Sequence, residues 1–296
     1  MDVSIIIINY NTISYLVDAI ESILLKTEDM EYEIIVVDNN STDNSKNILA
    51  EKYGSRVIFL GLSENIGFGR ANNEAVKMAR GRNLFLLNPD TVLLNNAVKV
   101  LSDYMDNNND VGVCGGNLFS ENMQPAVSFA PMLPSLLQTI DELFGNPVTI
   151  IKFGKNRYFN FTNKAIKVAC IIGADMMIRK ELFITLGGFD KDFFMYHEEL
   201  EFCFRINRAG YKIYSIPCAH IQHLEGKSIT NDYERIKRIF YARMLYLNKT
   251  QTKTDVFIIN SIYHLSSIIR LMIFSIMKNR EKKILWSEIC RLNRNL

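Results

Sequence analysis

Residues 193–205 read FFMYHEELEFCFR, which sets Glu198, Glu199 and Glu201 among five aromatic rings, with only His197 and Arg205 in the run to offset their charge. An unpaired carboxylate in apolar surroundings shifts its pKa instead of staying ionised, so three acids here call for a partner or a task. One partial answer is local: acids at a helix start favour the macrodipole, and Glu201 and Arg205 stand at i,i+4. Polar groups also follow three apolar runs: Asn9-Tyr10-Asn11, Asp38-Asn39-Asn40 and Asn88-Pro89-Asp90. They offer two carboxylates and several amides. Taken singly, each competes with ordinary turn and N-cap chemistry, with Ser41 or Thr42 a possible cap after Asp38. His220 and His223 are three apart, so on an extended segment they point to opposite faces and do not readily share one ion.

The elements that must position these groups read as βαβ units. Short β-branched runs at 3–9, 33–38, 56–61, 83–88 and 111–116 alternate with helical stretches from about Ile13, near 70–80 and near 95–107. Runs apolar on both faces imply a central, mostly parallel sheet covered by helices. In such sheets a ligand sits outside the carboxyl ends of the strands, which is where the three polar triplets fall. Between 119 and 165 the pattern breaks up around Pro125, Pro131, Pro134 and Pro147, and irregular structure is expected there. Regularity returns with KVACII at 167–172, a helix at 180–186, the Glu-rich helix and YKIYSI at 211–216.

Composition narrows the class. A chain of 296 residues with 48% hydrophobic content can bury a real core. The net charge of +2 hides an asymmetry: residues 231–296 hold 13 Lys+Arg against 5 Asp+Glu. Five scattered cysteines form no CxxC pair, which argues against a disulfide framework or zinc ribbon and for a reducing cytosol. The start, MDVSIIIINYN, lacks the basic flank of a signal peptide, so no export is expected. Gly67 and Gly69 do not make a dinucleotide fingerprint, because Asn72 stands where a third glycine belongs; a flexible turn before a helix near Arg70 is the simpler reading. No P-loop sequence occurs. At about 100° per residue, Asn260, His264, Ser267, Arg270, Ser275 and Lys278 fall on one side of a tail helix, and Ile258, Ile262, Leu265, Ile269 and Ile276 on the other. An internal Arg270 disfavours a membrane span. The apolar side is expected to meet an anionic membrane surface, the rest of the chain or a second subunit.

The stretches SIIIINYN, EIIVVDNNSTDNS, NIGFGRANN, LLNPDT and GADMMIRKELFITLGGFDKDFFMYHEELEFCFRINRAGYKI, taken in order, resemble the inverting family 2 glycosyltransferases of the GT-A fold. Within that family they are most similar to the rhamnosyltransferases of bacterial surface polysaccharides. The resemblance covers residues 3 to about 228 and implies an α/β, Rossmann-like, mostly parallel sheet flanked by helices; the C-terminal helical extension beyond it is expected from the amphipathic pattern of the tail. It implies a nucleotide-sugar half over 1–118 and an acceptor and catalytic half over 119–230, which leaves the basic amphipathic tail, read from its charge and periodicity, over 231–296.

By the same resemblance, Asp38 contacts the base or ribose of the sugar donor. Asn9, Tyr10, Asn11, Asn65, Gly67, Arg70, Asn72 and Asn88 lie on the donor side. Asp90 is the last acid of the metal-binding DXD motif, whose first acid is replaced here by Asn88. HLEGKS at 223–228 resembles the family's His-x-x-Gly-x-Ser ending and makes His223 a metal or diphosphate contact. Glu199 corresponds to the general base, with Glu198 beside it. The implied cofactor is Mg²⁺ or Mn²⁺, and the implied donor a dTDP-, UDP- or GDP-sugar. The implied acceptor is a lipid-linked glycan, met in the cytoplasm or at the inner face of the cell membrane. A homodimer is an open expectation, and nucleic acid is not an expected partner. Two other classes stay open: a sugar-phosphate nucleotidylyltransferase, and a glycan-binding or scaffold protein with impaired catalysis.

Overall fold

The protein is described here from a computed structural model, which covers residues 1–224 and 232–294. In chain order the elements are β1 (Val3–Asn9), α1 (Ile13–Lys26), β2 (Tyr32–Asp38), α2 (Ser45–Tyr53), β3 (Val57–Gly61), α3 (Phe68–Val76), β4 (Asn83–Leu87) and β5 (Thr91–Leu93). There follow α4 (Ala97–Asn107), β6 (Val111–Phe119), β7 (Phe129–Ala130), α5 (Leu136–Leu143), α6 (Pro147–Phe153), β8 (Ile166–Lys167), β9 (Cys170–Ile171) and β10 (Asp175–Arg179). The last are α7 (Lys180–Thr185), α8 (Glu198–Arg208), β11 (Lys212–His223), α9 (Asp232–Thr250), α10 (Lys253–Ile276) and α11 (Arg280–Arg294). The chain forms two units, one of residues 1–133 and 149–230, the other of 134–148 and 231–296.

The first unit is built on a sheet of order β3-β2-β1-β4-β10-β6-β11-β5, with β8 paired to β11. β1, β2, β3 and β4 run parallel, as do β6 and β11, while β10 enters antiparallel between β4 and β6. Strand side chains alternate between faces, and the apolar residues divide accordingly. Val3, Ile5, Ile7, Ile34, Val36, Phe85 and Leu87 join one core with Leu16, Ile20 and Ile23 of α1 and Leu101 of α4. Ile6, Ile8, Ile35, Val37, Leu84 and Leu86 join the other with Ala71 and Ala75 of α3 and Phe202 and Ile206 of α8. Each fully buried Ile or Leu contributes roughly 1.5–3 kcal/mol of transfer free energy, and the run VSIIIIN is buried throughout because both of its faces are covered.

Register explains why the polar triplets share a rim. Asn9 lies opposite Asp38 at the end of the β1–β2 ladder, and β4 ends at Leu87, one residue before Asn88. Several elements differ from the sequence expectation. KVACII is not one strand but two short ones, β8 and β9. β5 and β10 were not foreseen, the stretch 119–165 expected to be irregular holds β7, α5 and α6, α3 begins at Phe68, and the strand expected at 211–216 continues to His223. The five cysteines are free.

Candidate functional site

β5 leaves the Asn88-Pro89-Asp90 turn and pairs with the far end of β11, His223 lying opposite Thr91. That pairing brings together groups 135 residues apart: His223 Nε2 is 3.3 Å from Asp90 Oδ1 and 3.4 Å from the Asn88 amide nitrogen. Leu224 N donates to Asp90 O at 3.0 Å and Thr91 Oγ1 to Asn88 O at 2.7 Å, which hold the turn. A separation of 3.3 Å is close to that of adjacent ligands on one octahedral ion, about 3 Å for bonds of about 2.1 Å. The carboxylate and imidazole therefore fit two ligand positions of a divalent cation. Among the described residues no group of three or more His, Cys, Asp and Glu gathers, so further ligands would come from the substrate or water. His220 has a structural place: its backbone N donates to Asn95 Oδ1 and its ring meets Phe119 edge-on. The rest of the HLEGKS stretch, including Gly226 and Ser228, lies outside the described residues.

The acids begin α8. Tyr196 and His197 enter it with φ of 72° and 67°, a left-handed pair costly for residues with side chains and of the kind stored at functional sites. Glu198 is buried, and its Oε2 has no hydrogen-bond partner. Burial first, and then the neighbouring Glu199 charge, push the Glu198 carboxyl well above its ordinary value. Burial also raises Glu199, opposed by hydrogen bonds from the backbone of Glu199, Leu200 and His197. Glu201 is different, for Arg205 donates to it at 2.7 Å while reaching Leu186 O and Gly188 O, so this pair staples the preceding loop to the helix.

The acid helix and the Asn88–Asp90 turn adjoin through one segment. Ala174 O accepts from Asn88 N at 3.0 Å, and a Cβ on Gly173 would stand 3.9 Å from the Glu199 side chain. On the opposite side α3 grips the loop before α8. Asn73 Nδ2 donates to Phe189 O, its Oδ1 accepts from Phe189 N, and Arg70 Nε donates to Lys191 O at 2.6 Å. Phe68 N donates to Phe194 O at 2.9 Å.

Gly67 makes that last approach possible. It has φ of +88°, and a Cβ there would lie 2.1 Å from Phe194 O, so the flexible-turn reading gives way to a steric one. Gly67→Ala is expected to cost on the order of 3 kcal/mol, with a matching fall in Tm. Gly54→Ala, at φ of +53° with nothing within 4 Å, separates the backbone cost from the clash. Equal Tm losses in the two variants would refute the contact.

The strand-end groups serve partly as scaffold. Asn9 is fully buried, and its Nδ2 donates to Asp38 Oδ1 at 2.8 Å and to the Ser41 and Ser45 hydroxyls, while its Oδ1 accepts from Thr12. Asn72 is buried and donates to Phe68 O. Asn9 thereby ties the end of β1 to the side chains that follow β2, whereas Asn72 donates within α3 and its Oδ1 has no hydrogen-bond partner. Asn65 caps its own turn by accepting from Gly67 N. Asp38 is held by Asn9 and by Ser41 N, Asn11 clasps Thr42 N at 2.7 Å, and the Tyr10 ring is left exposed on the rim.

Two further residues shape this region: Asn39, named above only as a member of its triplet, and Asp175, which the sequence reading missed. Asn39 Oδ1 accepts from Ile66 N and its Nδ2 donates to Gly67 O, tying β2 to the glycine loop. Asp175 is fully buried at the start of β10; its Oδ2 accepts from Gly116 N at 2.5 Å and its Oδ1 has no partner. Burial pushes its carboxyl well above the ordinary value. A lone acid inside GADMMI was the available signal.

The sequence pattern of the Glycosyl transferase family 2 matches residues 4–187. Rhamnosyltransferase WbbL of Escherichia coli K12 is 25% identical over 230 residues, covering 75% of this chain and 83% of that protein. The N-acetylglucosaminyl-diphospho-decaprenol L-rhamnosyltransferase of Mycobacterium tuberculosis is 24% identical, covering 77% of this chain and 78% of that protein. Among solved structures, the mannosyltransferase PcManGT of Pyrobaculum calidifontis, in complex with GDP-Man and Mn²⁺, superposes with a TM-score of 0.58 at 17% identity, covering 83% of this chain and 63% of that one.

Proposed function

The chain belongs to glycosyltransferase family 2 and has rhamnosyltransferases of bacterial polysaccharide synthesis among its relatives, and from that premise we propose an inverting, metal-dependent hexosyltransferase. The donor is a nucleoside-diphosphate sugar, with rhamnose as the first candidate. The acceptor is a glycan carried on a lipid in cell-surface polysaccharide synthesis. The observation that carries this reading is the convergence of Asn88, Asp90 and His223 at one end of the β4–β10 pair, with Glu199 reached through Gly173 and Ala174.

In this reading the acceptor hydroxyl oxygen attacks the anomeric carbon from the side opposite the diphosphate. Its proton passes to the Glu199 carboxylate, the new C–O bond forms as the old one breaks, and the electron pair leaves on the diphosphate. Asp90 and His223 would hold Mg²⁺ or Mn²⁺, with Asn88 beside them. When bound, the cation supplies positive charge against the leaving diphosphate. Asp38 holds the base or ribose, and Tyr10 offers an exposed ring at the same rim. Glu198 is buried, while Glu199 beside it is half-buried and so open to a reacting hydroxyl.

Thermal shift against dTDP-, UDP- and GDP-sugars with Mn²⁺ should single out one donor by a raised Tm, since binding to the folded state stabilises by mass action. The matching nucleoside diphosphate should then be released when acceptor is added. Release of pyrophosphate from a nucleoside triphosphate and a sugar phosphate would indicate a nucleotidylyltransferase instead. Binding of the donor with no release would indicate a protein that only recognises it.

A further inference from the structure

In the second unit α10 packs against α5, α9 and α11, burying Ile259 and Ser267 and placing Tyr263 against α5 and α9. Ser267, 1% exposed, accepts from Cys290 Sγ of α11 and donates to His264 O. Tyr263 donates to Glu142 of α5 at 3.0 Å, and the Arg243 guanidinium of α9 lies 3.5 Å over the Tyr263 ring. The solvent side carries Phe257, Ile258, Ser261, Leu265, Ile269, Met272, Ile273 and Ile276. These eight fall within an arc of about 160° at about 100° per residue. Phe257 is 72% and Ile276 81% exposed. At 1.5 Å per residue the stripe is about 28 Å long, well beyond a scatter of single exposed apolar side chains. A soluble helix turns its apolar side inward; here, Ile259 apart, most of that side faces out.

Charge identifies what covers it. Lys278, Arg280, Lys282 and Lys283 are exposed where α10 passes into α11, and none has a carboxylate partner among the described residues. A cavity of about 340 Å³ between the two helices is lined by Ile273, Phe274, Leu285 and Trp286, with Arg270 stacked on Trp286 and Lys282 over Phe274. Apolar walls with two cations suit an acyl chain and its phosphate. A second copy would bring two tails of like charge together, each with 13 Lys+Arg against 5 Asp+Glu, whereas an anionic leaflet complements them. At 24 residues α10 is also long and apolar enough to span a membrane. Its polar contacts at Tyr263, Ser267 and Arg270 with α5, α9 and α11 would then be carried into hydrocarbon, which favours lying in the interface.

We propose that the α10–α11 hairpin seats the protein on an anionic bilayer, the α10 stripe entering the acyl boundary and Arg270 and Lys282 taking a lipid phosphate at the cavity between the helices. Flotation of the full chain with phosphatidylcholine vesicles, with and without phosphatidylglycerol, tests this without any assay of sugar transfer, so it stands or falls separately from the enzymatic reading. Association is expected only with the anionic vesicles. Lys282→Glu with Lys283→Glu should weaken it at least tenfold, at roughly one kcal/mol or more per reversed charge. Ile269→Asp with Met272→Asp should abolish it, and since both positions are exposed, Tm should be kept. Vesicle binding unchanged in both double variants would overturn the proposal. So would a dimer that Ile269→Asp with Met272→Asp dissociates, or a chain that alkaline carbonate leaves in the membrane.

Discussion

Asp90→Asn is expected to abolish sugar transfer while leaving the fold intact, a loss of roughly a thousandfold or more, since a bound cation supplies several kcal/mol to a transition state that builds charge on its leaving group. Asn keeps the shape and the single contact to His223 but removes the one carboxylate of the Asn88-Pro89-Asp90 turn. EDTA should reproduce the loss in the unaltered protein, and Mn²⁺ should restore activity there but not in the variant. Turnover in EDTA close to that with Mn²⁺ would end the metal assignment. Tm measured with Mn²⁺ but no sugar gives a second readout: the cation should stabilise the unaltered chain more than the variant.

Glu199→Gln removes proton acceptance and preserves volume, so kcat should fall by about a hundredfold or more with little change in donor affinity. Burial raises the Glu199 carboxyl above its ordinary 4.5, and a base must be ionised, so the acid limb of kcat/KM should lie above that value, with activity increasing as pH rises through it. Glu198 separates from Glu199 by the size of its effect on stability, since both carboxyls are raised but Glu198 the further. Its folded-state pKa is raised, so its contribution to stability is complete below 4.5 and is lost as pH rises through the raised value. Glu198→Gln should therefore raise Tm at neutral pH and have little effect below about pH 4. If Glu198→Gln is the inactive variant and Glu199→Gln turns over normally, the two roles are exchanged.

The sequence reached the architecture because its signals are local and repeat. Runs such as VSIIIIN and EIIVVD, apolar at every position, exclude a half-exposed strand, and the helices between them leave few arrangements other than a covered sheet. It also reached the polar strand ends, since parallel strands in register stop at one level, as Asn9 and Asp38 do. The ordered motifs added the family, which local periodicity alone does not identify.

What each polar group at those ends does was decided by neighbours far away in sequence. Asn9 and Asp38 look alike as strand-terminal residues, yet Asn9 is consumed by Asp38, Ser41 and Ser45 and fully buried. Gly67 is required by a carbonyl at Phe194, and the nearness of His223 to Asp90 follows from a three-residue strand too short for its own pattern to announce. In the tail, the sequence showed two sides of α10 but not which one faced inward. Amphipathicity is a property of one helix, whereas its orientation depends on what the neighbouring helices offer. Here α5, α9 and α11 present Glu142, Arg243 and Cys290, so Tyr263 and Ser267 turn in and, Ile259 apart, most of the apolar side is left facing out.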